Sequence, residues 1–116
     1  MAGLVNIDLG YINYSDDFLA NIVGLSTMEC YGVVGMARKN ATDGLWELMK
    51  GENFSKGVKI KFKDNEISIE LYIIVEYGTK ISEIANNIIQ KIKYNLENMT
   101  GLKVSTITVN VQGVRV

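Results

Sequence analysis

At 116 residues, with 47% hydrophobic side chains, the chain is long enough for one ordinary core and short for two. Twelve basic and thirteen acidic side chains leave a formal charge of −1, so no overall field draws it to nucleic acid or to an anionic membrane surface; either would need a local patch. A single cysteine, Cys30, excludes an intrachain disulfide and fits a reducing compartment, and the absence of histidine removes Ser-His and Cys-His nucleophile pairs.

Met1 to Asp8 lacks the basic-then-apolar order of a secretory signal. The longest apolar run, Leu71 to Val75, falls far below the ~20 residues that span a bilayer. The expectation is a cytoplasmic chain with no direct membrane insertion.

Val5 to Tyr14 mixes β-branched and aromatic residues around Gly10, which predicts a first strand with a bulge. Ser15 ahead of Asp16 and Asp17 predicts an N-cap with two acids in the first helical turn, where the helix dipole favours them. The helix should run to about Cys30 and bury Phe18, Ile22 and Leu25, with Leu19 and Val23 beside them. Gly32 punctuates its end.

Val33 to Ala37 is a candidate short strand. Arg38 to Gly57 is rich in Asn, Thr, Asp and Gly and predicts a loop carrying one short helix, capped by Thr42 or Asp43 and tied to the core through Trp46. From Val58 the pattern sharpens: Val58, Ile60 and Phe62 alternate with Lys59, Lys61 and Lys63 before the turn residues Asp64 and Asn65. A two-residue turn there places Lys63 opposite Glu66, Phe62 opposite Ile67, Ile60 opposite Ile69, Lys59 opposite Glu70 and Val58 opposite Leu71. One face of this hairpin is then apolar and the other charge-complementary.

After Gly78, the residues Ile81, Ile84, Ala85, Ile88, Ile92 and Leu96 recur at helical spacing; Thr79 can cap the start and Gly101 fits the left-handed position past the end. A last strand from Lys103 to Gln112 sets Ile107, Val109 and Val111 on one face. The reading is one α+β domain over residues 1–116, a mixed sheet with two amphipathic helices on one face, in the order β-α-(β)-β-β-α-β.

Chemistry is thinly represented. The acids are scattered rather than spaced as a calcium loop or a facing pair, and neither a Walker loop nor a Rossmann glycine fingerprint is present. No catalytic, cofactor-binding or metal-binding residue is assigned, and no cofactor is expected. Gly32-Val33-Val34-Gly35, followed by Arg38 and Lys39, has the Gly-x-x-Gly form of a KH clamp for nucleic acid. Its middle valines read as buried strand, and Asp43 and Glu47 offset the cations, so nucleic-acid binding is not expected.

The ordered punctuation carries a resemblance. Gly10-Tyr11-Ile12 with Tyr14-Ser15, Gly32-Val33, Gly57-Val58, Tyr77-Gly78-Thr79-Lys80-Ile81, Met99-Thr100-Gly101-Leu102, and Val109-Asn110-Val111 with Gly113-Val114 follow one another along nearly the whole chain. The set is similar to the alkaline-shock, envelope-stress-response family of Gram-positive bacteria. The resemblance implies a cytoplasmic, non-catalytic interaction or scaffold protein that self-associates, with some members held at the membrane by a partner protein. It supplies no catalytic residues, and contacts through the extended charged tail of some relatives are not expected for this sequence. A KH-like RNA-binding module and an accessory subunit of an enzyme are the alternatives.

One local feature points to self-association independently. From Val104 to Val114 there is no charged residue, and the chain contains no proline, although edge strands usually carry charges, prolines or bulges that discourage pairing with another chain. Thr106, Thr108, Asn110 and Gln112, the outward positions of this strand, are the candidate self-association residues, and a homo-oligomer is the expected state. The opposite expectation is a strand in mid-sheet with both edges paired.

Overall fold

A computed structural model describes residues 3–39, 46–49, 57–63 and 66–116. Strands β1 (Gly3–Ile7) and β2 (Gly10–Tyr14) precede helix α1 (Asp16–Met28). Strands β3 (Val33–Lys39), β4 (Trp46–Met49), β5 (Val58–Lys63) and β6 (Glu66–Glu76) follow, then helix α2 (Ile81–Thr100) and strand β7 (Lys103–Arg115). The class is α+β, as the sequence pattern predicts, with two strands more than expected.

Both additions are local hairpins. The expected first strand is two, paired antiparallel with Val5 opposite Ile12 and Ile7 opposite Gly10. The turn falls at Asp8-Leu9, where Leu9 is fully exposed; an apolar residue at a turn gives no break in the strand pattern. The short helix expected between Arg38 and Gly57 is also overturned, because Trp46–Met49 is a strand paired with Met36–Lys39. Its supposed caps, Thr42 and Asp43, lie outside the described residues, as do the side chains around Trp46.

β6 organises the main sheet. On one edge it pairs antiparallel with β5 along its first half and with β3 along its second. On the other edge it pairs in parallel with β7 from Glu66–Lys103 to Glu76–Arg115. The β5–β6 register is the one the charge pattern dictates, including Lys59 opposite Glu70 and Phe62 opposite Ile67. Gly57 is what lets β3 and β5 meet beside one strand, since a Cβ there would lie 2.8 Å from Ala37 O and 3.1 Å from Tyr72 O.

Alternation along β6 divides the sheet into a core face and an open face. Ile67, Ile69, Leu71, Ile73 and Val75 are buried, and the intervening residues are half-buried. Both helices contribute to the core on the first face: Leu19, Ile22 and Val23 from α1, and Ile84, Ile88, Ile92 and Leu96 from α2. Ser15 caps α1 as expected, its Oγ accepting from Phe18 N–H at 3.1 Å.

The buried face of α1 is rotated from the one its apolar residues suggest. Phe18 and Leu25 are exposed, whereas Ser26 and Thr27 are buried. Burying those hydroxyls is tolerated because both are bonded: Thr27 Oγ1 donates to Val23 O at 2.8 Å, and Ser26 Oγ accepts from Asn95 Nδ2 of α2 at 2.8 Å. On α2, Ile81 is likewise exposed, and Lys80 rather than Thr79 is the N-cap. Thr79 Oγ1 instead donates to Glu76 O, 2.6 Å away. Gly101 ends α2 in the left-handed conformation, φ 77°, as expected.

Candidate self-association edge

β7 pairs with β6 alone, so among the described residues its other edge carries no strand. The expectation of a mid-sheet strand is thereby set aside, and β7 extends three residues beyond its expected end, to Arg115. Its register slips twice: Ser105 is skipped between Val104 and Thr106, and Gln112 between Val111 and Gly113. The slips explain how residues spaced by three share one face. Val104, Ile107, Val109, Val111 and Val114 stand opposite Ile67, Ile69, Leu71, Ile73 and Val75.

The backbone groups at the outer edge follow from three hydrogen bonds. Alternate residues of a strand turn their N–H and C=O to the same neighbour. Glu76 N–H donates to Gly32 O on the β3 side, whereas the carbonyls of Ile67 and Leu71 accept from Ser105 Oγ and Asn110 Nδ2 of β7. Ile69, Leu71 and Ile73 therefore bond into β7, each to the two residues flanking its partner. Thr106, Thr108 and Asn110 commit their backbones to β6, while Ile107, Val109 and Val111 turn theirs outward. At the start of the strand, Val104 N–H is taken by the Glu97 carboxylate of α2, 3.1 Å away.

The four candidate residues do not behave alike. Thr106 and Thr108 are exposed on the open face; Asn110 is half-buried, its amide held by Leu71 O at 3.0 Å; and Gln112 sits half-buried at the second slip. Two features of the edge escape the sequence pattern. Glu97, which closes one end, has no local signal. Ile107, Val109 and Val111 have the spacing of core residues yet stay half-buried, because among the described residues no further strand pairs beyond them.

The other expected features fall elsewhere. Val33 packs against the core, and Gly35 pairs with Ile74 inside the sheet, so the Gly-x-x-Gly run is part of a strand rather than a clamp between helices. On the open face Lys59 Nζ lies 5.6 Å from the Tyr72 ring centre, and Lys103 Nζ is 3.7 Å from Glu66. Cys30 is half-buried past α1 with Sγ 3.5 Å from Ser26 O. Burial pushes its thiol pKa up, Lys91 draws it down and Glu29 adds to the rise, so it is poorly suited to act as a thiolate. Among the described residues no group of His, Cys, Asp and Glu could hold a metal ion, and no helix is long and apolar enough to cross a membrane.

Comparison with known proteins gives these features a family. Residues 5–116 match the model of the alkaline-shock (ASP23) family, described as having a cell envelope-related function. The chain is 47% identical over 108 residues to the uncharacterized protein YloU of Bacillus subtilis, covering 92% of this chain and 90% of that one. It is 43% identical over 113 residues to the uncharacterized protein Spy1614 of Streptococcus pyogenes, covering 97% and 93%. A stress response regulator gls24 homolog of Streptococcus pyogenes is more distant, 24% identical over 106 residues that make up 91% of this chain and 59% of the relative. No solved structure matches significantly. With its family model matching residues 5–116, the chain belongs to the ASP23, or alkaline-shock, family, described as having a cell envelope-related function.

Proposed function

We propose that this chain is a non-catalytic, self-associating scaffold of the envelope stress response, which works in the cytoplasm and reaches the membrane through a protein partner. The observation that carries the reading is the outer edge of β7, a thirteen-residue strand whose only charges, Lys103 and Arg115, stand at its ends. Exposed edges of this length are normally protected by charge, proline, bulges or cover; the bulges of β7 fall near its ends, at Ser105 and Gln112, and the regular uncharged stretch between them is a template for adding another strand through its backbone. The family's cell envelope-related description and its stress-regulator relatives support the biological setting.

Sedimentation of the purified chain tests the reading. Oligomers are expected at micromolar concentration and should be weakened by Thr108→Lys, which places a charge beside the edge. Thr108 is exposed and stands opposite Glu70, so the substitution should change stability by no more than about 0.5 kcal/mol. A strict monomer at high micromolar concentration, or an oligomer indifferent to Thr108→Lys, would refute it.

A further inference from the structure

We infer that two copies join antiparallel, edge to edge, about a two-fold axis at Val109, so that α1 and α2 of both copies cover one continuous sheet. The inference rests on the self-association reading above and specifies its geometry.

Two copies using the same edge have only two ways to pair. With the strands parallel, the axis runs along the strands and turns one sheet over, so that the core face of one copy continues as the open face of the other. With the strands antiparallel, the axis is normal to the sheet and the core faces lie on the same side. The half-buried side chains of Ile107, Val109 and Val111 decide between these arrangements. Parallel pairing would set them beside Thr106 and Thr108, which occupy the open face of the second copy. Antiparallel pairing sets them against their own equivalents, extending the apolar layer across the junction.

The register follows from the outward backbone groups. Residues that turn their backbone outward must face residues that do the same. Placing Val109 opposite Val109 and Ile107 opposite Val111 uses all of these residues in both copies, whereas a shift by two leaves one of them unmatched. On the open face the same register sets Thr108 opposite Asn110, uncharged polar against uncharged polar, and brings Thr106 of one copy toward Gln112 of the other at its bulge. At the ends Lys103 approaches Arg115 of the second copy. Each cation has an acid on β6, Glu66 at 3.7 Å from Lys103 and Glu76 opposite Arg115, which limits their repulsion. A two-fold pairing of this kind consumes the edge it uses and closes as a dimer.

Disulfide trapping in a Cys30→Ser background tests the geometry. Thr108 and Asn110 face each other as a non-hydrogen-bonded antiparallel pair, the closer kind at about 4.5 Å between Cα atoms. Thr108→Cys and Asn110→Cys proteins of different mass, mixed and oxidised, should give several-fold more mixed disulfide than either gives with itself. Thr106→Cys with Gln112→Cys should behave the same way, and this second pair guards against a fold defect from losing the Asn110 amide. Preferential self-linking of Thr108→Cys would overturn the proposed register or direction. Oligomers in sedimentation without any of these cross-links would overturn the edge pairing while leaving self-association standing, and a monomer would remove both.

Discussion

Two outer strands of the sheet, β5 and β7, are built on the same pattern and protected to different degrees. Each flanks β6, and each alternates apolar residues toward the helices with polar residues toward the open face. In β5 the polar positions are Lys59, Lys61 and Lys63 on a strand of six residues; in β7 they are Thr106, Thr108 and Asn110 on a strand of thirteen. The core pattern of a strand therefore does not say whether its edge is safe. That is decided by the other set of side chains, whose charge makes β5 a poor template and whose neutrality leaves β7 available.

Ile69 joins the two edges, standing between Ile60 of β5 and Ile107 of β7 and only 1% exposed. Ile69→Ala should cost about 2–5 kcal/mol in denaturant unfolding and weaken both edges together. A loss below about 1 kcal/mol would mean that the edges do not share this support.

Gly57→Ala acts where β3 and β5 meet, on the side of β6 away from β7. Its Cβ would press on the backbone of Ala37 and Tyr72, so a cost of about 1–3 kcal/mol is expected. Self-association through β7 should persist at concentrations where the variant is folded; its disappearance would show that the edges are not independent.

Replacing Lys59, Lys61 and Lys63 together with threonine gives β5 the open-face chemistry of β7. Species larger than a dimer are expected in light scattering, with little change in the thermal transition. Unchanged assembly would mean that some feature other than side-chain charge protects β5.

The smallest effect belongs to the cross-strand pair Lys59 and Glu70. Glu70→Lys should destabilise by roughly 0.2–1 kcal/mol, with Lys59→Glu partly restoring the loss in a double-mutant cycle. Strictly additive losses would show that the two side chains do not interact.

The β5–β6 register was legible in the residues alone because three signals coincided: turn length, apolar alternation and opposed charges from Lys59 to Glu70. The span of α2 was legible for the same reason, with Ile84, Ile88, Ile92 and Leu96 at helical spacing ahead of Gly101. Where one signal stood alone it misled. Leu9 concealed a turn, Trp46 to Met49 looked helical without the strand they pair with, and Phe18 and Leu25 looked like core although the buried face of α1 runs through Ser26 and Thr27. Hydroxyl burial depends on partners that local sequence does not reveal, such as Asn95, far along the chain.

For the candidate edge, the residues alone dictate which side chains β7 offers: no charge from Val104 to Val114, and threonines where β5 has lysines. That this strand is an edge depends on how the chain packs, because a parallel partner is reached through the whole length of α2 and nothing in β7 says which side of β6 will be free. The same holds for Glu97, which meets Val104 N–H only once α2 has packed back across the sheet, and for Ile107, Val109 and Val111. Their spacing makes them core residues, but their half-burial follows from where the sheet ends.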